Sequence, residues 1–280
     1  MAQLIYCDNN FVISAHDAPE EYKDHLRELS SNCTVKFVFS PWHWREMAND
    51  RNHDRGKSMA DFCDSLNSFW LFDRRSIQKK EVAAAFYQFA KLHAEPPQMV
   101  GDIGDIVYDY TGVHTYRKCS AFVEHLRQLG SNHPLEQTLK KALEDNARNA
   151  EDFNAGRFTK DLLSKTERLY VQTLLPSATQ AGIVIDEKTK RDFLDSYTLN
   201  DLPATALETK ITHENWALNR KLTENNFMDQ QHIVAVPYVD VLITDDNKFS
   251  KLIKRAVDGV PFRTAEILSK AEFDIRFPKT

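Results

Sequence analysis

The sequence predicts an α/β protein built on a parallel sheet. Short apolar runs alternate with helical periodicities at both ends of the chain. Such strand–helix alternation marks a parallel sheet covered by helices. Turn residues agree: 8 Gly and 10 Pro in 280 residues are too few for an all-β sandwich joined by many tight turns.

The first predicted strand is Gln3–Cys7, an unalternating apolar run of the kind buried on both faces of a sheet. Residues 20–30 place Tyr22, Leu26 and Leu29 at helical spacing. Residues 34–39 (TVKFVF) are rich in strand formers and read as strand two. Ser40-Pro41 then starts a helix, with Ser at the N-cap and Pro at the first helical position. That helix is expected to run through Trp42, Trp44, Glu46 and Met47 to about Asn52. Helices follow at 57–68, 79–94, 115–129, 134–154, 158–175 and 187–197. Breaks are expected at Pro96-Pro97, across 101–112, at Pro176 and at Gly182. Only 69–72 and 183–185 look extended in this stretch.

Alternation returns at the end. Residues 203–222 and 226–236 read as helices, and 239–244 (VDVLIT) as a strand. Asn247–Val257 follows as a helix with Phe249, Leu252, Ile253 and Ala256 on one face. Residues 260–263 are the expected last strand, with a helical turn at 265–270.

Composition excludes several classes. The longest apolar run, 233–239, ends at Asp240, far short of the ~20 residues that span a membrane. No basic-then-apolar leader precedes Asp8, so a cytoplasmic protein is expected. Cys7, Cys33, Cys63 and Cys119 form no Cys-x-x-Cys pair and read as reduced structural thiols. Lys and Arg number 36 against 41 Asp and Glu, a net charge of −5. A bulk nucleic-acid binder is usually basic. Any nucleic acid must therefore be gripped by a local patch or through metal ions.

Ligands of open α/β sheets sit at the carboxyl ends of the strands. Asp8 ends strand one, Glu46 lies six residues past Ser40, Asp229 falls in the first turn of its expected helix, and Asp246 follows VDVLIT. Each has an ordinary explanation: an Asx-turn, a solvated helix acid, a helix-dipole partner and an N-cap. Together, four acids at one rim repel each other unless a cation compensates. Hard oxygen ligands suit Mg²⁺ or Mn²⁺, and the matching chemistry is metal-assisted phosphodiester cleavage.

This pattern resembles the PIN-domain nucleases. The matching pieces are a strand leading into Asp8-Asn9-Asn10, SPWHWRE from Ser40 to Glu46, DQQHIVA from Asp229, and TDDNKF from Thr244 to Phe249. Asp229-x-x-His232 followed by Pro237-Tyr238-Val239-Asp240 resembles a bacterial branch of that family. The resemblance implies a three-layer α/β/α domain formed by 1–56 and 200–280, with 57–199 as a mainly helical insertion. It implies that Asp8, Glu46, Asp229 and Asp246 hold one or two Mg²⁺ or Mn²⁺ ions for an endoribonuclease that cuts single-stranded or loop RNA. The alternative is a PIN-like binding or scaffold module with a weak or silent site. An inhibitor protein or a second copy of the chain are the partners left open beside RNA; a membrane is not expected.

Asn10, Ser40 and Thr244 are expected to support the acids by hydrogen bonds. His232, at i+3 from Asp229, shares its helix face. Asp245 replaces Asp246 as the ligand if the strand ends one residue earlier. Arg45, Arg51 and Arg55, and Lys251, Lys254 and Arg255, are candidates for gripping substrate. Trp42 and Trp44 offer either a stacking face or core.

Other strand-first enzymes fit less well. A haloacid-dehalogenase phosphatase needs a second Asp at position 10, which is Asn. The Gly-x-Gly of dinucleotide binding and the elbow of Ser or Cys hydrolases are absent.

Overall fold

The computed structural model describes residues 2–93, 95–112, 115–157, 160–176, 186–217 and 223–279. Its strands are β1 Gln3–Cys7, β2 Val35–Phe39, β3 Phe69–Leu71, β4 Val100–Gly101, β5 Val241–Ile243 and β6 Glu266–Leu268. They form one sheet in the order β4-β3-β2-β1-β5-β6. All neighbours are parallel except β4, which is antiparallel to β3.

Helices α1 Asn9–His16 and α2 Glu20–Ser31 join β1 to β2, and α3 Pro41–Ala48 and α4 His53–Ser65 join β2 to β3. Helix α5 Arg74–Phe89 precedes β4. Between β4 and β5 come α6 Ile103–Thr111, α7 Cys119–Leu129, α8 Pro134–Asn154, α9 Lys160–Leu174, α10 Glu187–Ser196, α11 Pro203–Ala217 and α12 Glu224–Ile233. Helices α13 Asn247–Val257 and α14 Lys270–Arg276 flank β6.

The apolar strands are buried on both faces, as their unalternating sequence predicts. Ile5, Cys7, Phe37, Phe39, Val241 and Ile243 enter one core. Their neighbours Tyr6, Val38 and Leu242 enter another on the opposite face. Helices therefore cover both sides of the sheet. Phe37 is fully buried, and truncating such a residue to Ala costs about 3–5 kcal/mol.

Several expectations are corrected. Residues 9–16, given no helix from sequence, form α1, because Asp8 caps it by accepting from the Phe11 amide at 2.8 Å. The helix after Ser40 ends at Ala48, not near 52. Asn52 is the cap of α4, accepting from the Arg55 amide at 3.2 Å. The 101–112 stretch, expected as a break, holds α6. Ile106 and Val107 are buried there, and Gly112 ends the helix at φ 73°, a left-handed geometry that glycine adopts without penalty. The last strand is Glu266–Leu268, not 260–263, and the helical turn expected at 265–270 gives way to it. Pro261 lacks an amide for a ladder, whereas Glu266, Ile267 and Leu268 register against Val241, Leu242 and Ile243. Ser269 and Glu272 then start α14 with a capping box.

The stretch 57–199 is mostly helical and also supplies β3 and β4 to the common sheet. The extended run expected at 183–185, the break at Gly182 and the 218–222 end of the helix expected over 203–222 lie outside the described residues. Among the described residues no helix is long and apolar enough to cross a membrane. Cys7, Cys63 and Cys119 are buried free thiols, and Cys33 is exposed.

Candidate functional site

The chain leaves β1 towards β2, β3 and β4 and returns on the other side as β5 and β6. The strand order therefore reverses between β1 and β5. At such a switch point the connections diverge and leave a crevice at the carboxyl ends. Asp8 follows β1 directly, and Asp246 lies three residues beyond the end of β5.

Both aspartates are N-caps: the ordinary explanation from sequence holds for Asp246, whereas Asp8, read as an Asx-turn, caps α1 instead. Asp8 Oδ1 accepts from the Phe11 amide at 2.8 Å. Asp246 Oδ1 accepts from the Lys248 and Phe249 amides at 2.6 and 3.0 Å. The caps pin both carboxylates at the mouth of the cleft through Oδ1. Thr244 links the pair: its Oγ1 accepts from the Asp246 amide at 3.0 Å, and the hydroxyl hydrogen-bonds the Asp8 carboxylate.

Two helices bring the other acids. Glu46 lies in the second turn of α3. Asp229 lies in the second turn of α12, not the first, because that helix starts at Glu224. Asp8, Asn10, Glu46, Asp229, His232 and Asp246 line one cleft of about 300 Å³.

The cleft is short of positive charge. Burial pushes Glu46 up to about 8; Arg45 opposes the rise, and Asp8 and Asp229 add to it. Burial pushes Asp8 up to about 6 against the hydrogen bonds of Thr244 and the Phe11 amide. Asp229 also rises to about 6, through burial and then Asp246 and Asp8. Oε2 of Glu46 is sealed from solvent without a hydrogen-bond partner. Hard oxygen donors, mutual repulsion and one orphaned carboxylate oxygen fit a divalent cation. Among the described residues no three His, Cys, Asp or Glu side chains close around a common point. The acids thus share a cleft rather than form a finished cage.

Beneath the cleft runs a buried hydrogen-bond chain that sequence reasoning missed. Nε2 of His43 lies 2.9 Å from the Cys7 carbonyl, which only accepts, so Nε2 carries the proton. Burial holds His43 down at about 4, hence neutral near pH 7. Its Nδ1 therefore accepts, from the Ser40 amide at 3.0 Å and the Ser40 hydroxyl at 3.1 Å. With its proton so used, Ser40 Oγ accepts from the Tyr6 hydroxyl at 2.9 Å. The Tyr6 oxygen in turn accepts from Nδ1–H of His232 at 2.5 Å. That leaves Nε2 of His232 as the unprotonated nitrogen, with no hydrogen bond to it among the described residues, and His232 is on the cleft wall. Ser40 was expected to support the site from its place at the strand end. Tyr6 and His43 sit inside apolar and helical runs, where periodicity reads them as core.

Other expected site residues fall elsewhere. Asp245 does not line the cleft; its Oδ1 accepts from the Lys270 amide at 2.9 Å and anchors α14. Arg45 is buried, with its guanidinium on Glu136 and Glu224 at 2.6 and 2.7 Å, and is closed to substrate. Arg51 and Arg55 do not share a helix: Arg51 stands in the turn after α3, and Arg55 on α4 pairs with Asp17 and Asp50. Lys254 and Arg255 occupy the last turn of α13, away from Asp246, and Arg255 pairs with Glu214. Lys251 is exposed in mid-helix. Trp44 is core against Trp70 and Phe122. Trp42 packs edge-on to Phe227.

Compared with family models, with curated proteins and with solved structures, the chain matches none. The site therefore rests on its own geometry.

Proposed function

We propose that the chain is a metal-dependent phosphodiesterase, an endoribonuclease cutting single-stranded or loop RNA, on a PIN-like α/β/α fold. One observation carries this reading. Carboxylates from four distant segments line a single cleft at the β1/β5 switch point, and three of them are pushed towards neutrality, chiefly by burial and in addition by the acids around them. The preference for RNA comes from the resemblance of the motifs to PIN nucleases.

Asp8, Glu46, Asp229 and Asp246 would hold Mg²⁺ or Mn²⁺. The bound ion supplies a water of lowered pKa and offsets charge on the scissile phosphate. The chain's own groups set the stage. The α1 and α13 caps fix Asp8 and Asp246, and Thr244 locks the two to each other. Glu46 brings an oxygen with no other partner. His232 faces the cleft as a neutral acceptor.

The test is cleavage of RNA by purified protein with Mn²⁺ or Mg²⁺, with and without EDTA. Metal-dependent products ending in 5′-phosphate and 3′-hydroxyl are expected. No cleavage under either metal rejects the reading. The scaffold alternative has one observation on its side, the absence of three converging donors among the described residues. It predicts protein binding without cleavage.

A further inference from the structure

A second cleft, of about 590 Å³, lies beyond the carboxyl end of β3. The same two helices wall both clefts. Trp42 on its wall precedes Glu46 by four residues on α3, which is about 6 Å along the axis. Gln231 on its wall lies between Asp229 and His232 on α12.

Its lining supplies what the acid cleft lacks. Arg75 and Lys79 on α5 and Lys141 on α8 are exposed there and hold no ion pair among the described residues. These are uncommitted cations at one place in a chain of net charge −5, whereas Arg45, Arg55 and Arg255 are spent on ion pairs.

Two polar groups on the wall are unfinished. Gln231 is 2% exposed, and its Nε2 is sealed without a partner. The Tyr110 hydroxyl is likewise sealed and unpartnered. A buried donor left unpaired costs about 1–3 kcal/mol, which a ligand acceptor recovers.

The wall also carries acids. Asp73 caps α5, and its carboxylate and that of Asp109 share the Ser76 hydroxyl. Burial and Asp73 raise the pKa of Asp109, with the Ser76 hydrogen bond opposing. Asp145 lies on α8. These carboxylates bar a run of phosphates but accept from the amino groups of bases.

We infer that this cleft binds one nucleotide of the strand cut in the acid cleft, its phosphate on Arg75, Lys79 and Lys141 and its base edge on Gln231 and Tyr110. The inference rests on the nuclease reading and deepens it.

The test is binding of a short labelled single-stranded RNA in EDTA across a salt series, with free nucleoside monophosphates as a parallel ligand. Lys79→Glu combined with Lys141→Glu weakens RNA binding by about tenfold or more and flattens the log–log salt slope by about 0.7 for each phosphate no longer neutralised. Gln231→Leu weakens binding but leaves the slope, since it removes a neutral group. Lys251→Glu with Lys254→Glu changes neither. Unchanged affinity and slope in the Lys79/Lys141 variant, or no RNA binding by the wild type, overturns the inference. Free nucleotides binding as tightly as RNA overturn it too, because the cleft then serves a small ligand and not a strand. Cleavage measured separately distinguishes the two levels. Loss of RNA binding in the Lys79/Lys141 variant of a wild type that does not cleave keeps the subsite and removes the nuclease. Metal-dependent cleavage with unaltered binding in that variant does the reverse.

Discussion

The Tyr6 hydroxyl joins two elements beneath the acid cleft: it lies 2.5 Å from Nδ1 of His232 on α12 and 2.9 Å from Oγ of Ser40 at the start of α3. The direction of that chain, fixed at its far end by the Cys7 carbonyl, decides which nitrogen of His232 is bare.

Replacing Tyr6 with Phe removes the acceptor for Nδ1–H. The His232 proton then moves to Nε2, because a buried unpaired donor costs about 1–3 kcal/mol. Cleavage is expected to fall by about 10–100-fold, the usual scale for groups that orient a site. Nitrogen NMR of the His232 ring reads the tautomer directly. An unprotonated Nε2 in both wild type and variant contradicts the assigned chain.

Asp8→Asn and Asp246→Asn are expected to reduce metal-dependent cleavage to background. Neither unfolds the protein, since Asn caps a helix as well as Asp and keeps the bonds to the Phe11, Lys248 and Phe249 amides. Asp8→Ala loses the cap as well and costs about 1 kcal/mol. Melting curves in EDTA separate the two effects. Equal destabilisation by Asn and Ala at position 8 argues that charge, not capping, holds α1.

Thr244→Val removes the hydroxyl between Asp8 and Asp246. That bond holds the Asp8 pKa down against burial, so Asp8 titrates higher in the variant. The acid limb of the pH–rate profile shifts upward with it, with a drop of about 10–100-fold at neutral pH. A profile that keeps its wild-type acid limb excludes this role for Thr244.

Stability without metal depends on pH with a sign that can be worked out. Glu46 ionises near 4.5 when unfolded and near 8 when folded. Between those values the folded chain holds more protons, so stability falls as pH rises. Asp8 and Asp229, raised to about 6, add to the fall below neutrality. His43 and His232 act oppositely: both are held below the ordinary 6.5, so their burial costs stability only at lower pH. Above 6.5 Glu46 is what remains. In EDTA the melting temperature is expected to drop by a few °C between pH 6.5 and 8, and Glu46→Gln or added Mn²⁺ removes the drop. A flat wild-type profile in EDTA over this window shows that Glu46 is already ionised at 6.5.

The sequence by itself determined the sheet's central strands, the helix start at Ser40-Pro41 and the four acids that line the cleft, two just past strand ends and two on helices. These are local signals: apolar run length, cap residues and offsets from strand ends. It placed Asp229 on a helix but one turn too early: the expected helix starts at Asn226 and passes over Thr223, a favoured N-cap type, and the acidic Glu224 that opens α12. It placed the fourth acid at Asp246, with Asp245 as the substitute if the strand ended one residue earlier. Strand β5 does end one residue earlier, at Ile243, yet Asp246 lines the cleft, because Asp245 is turned to the Lys270 amide at the start of α14. It read Arg45 as a surface cation, and the tertiary fold sealed that side chain between Glu136 and Glu224. The Tyr6–His232 pairing and the cations of the second cleft join segments far apart in the chain. No periodicity or spacing encodes such pairings, because they are chosen by how helices on the two sheet faces close over the same strand ends.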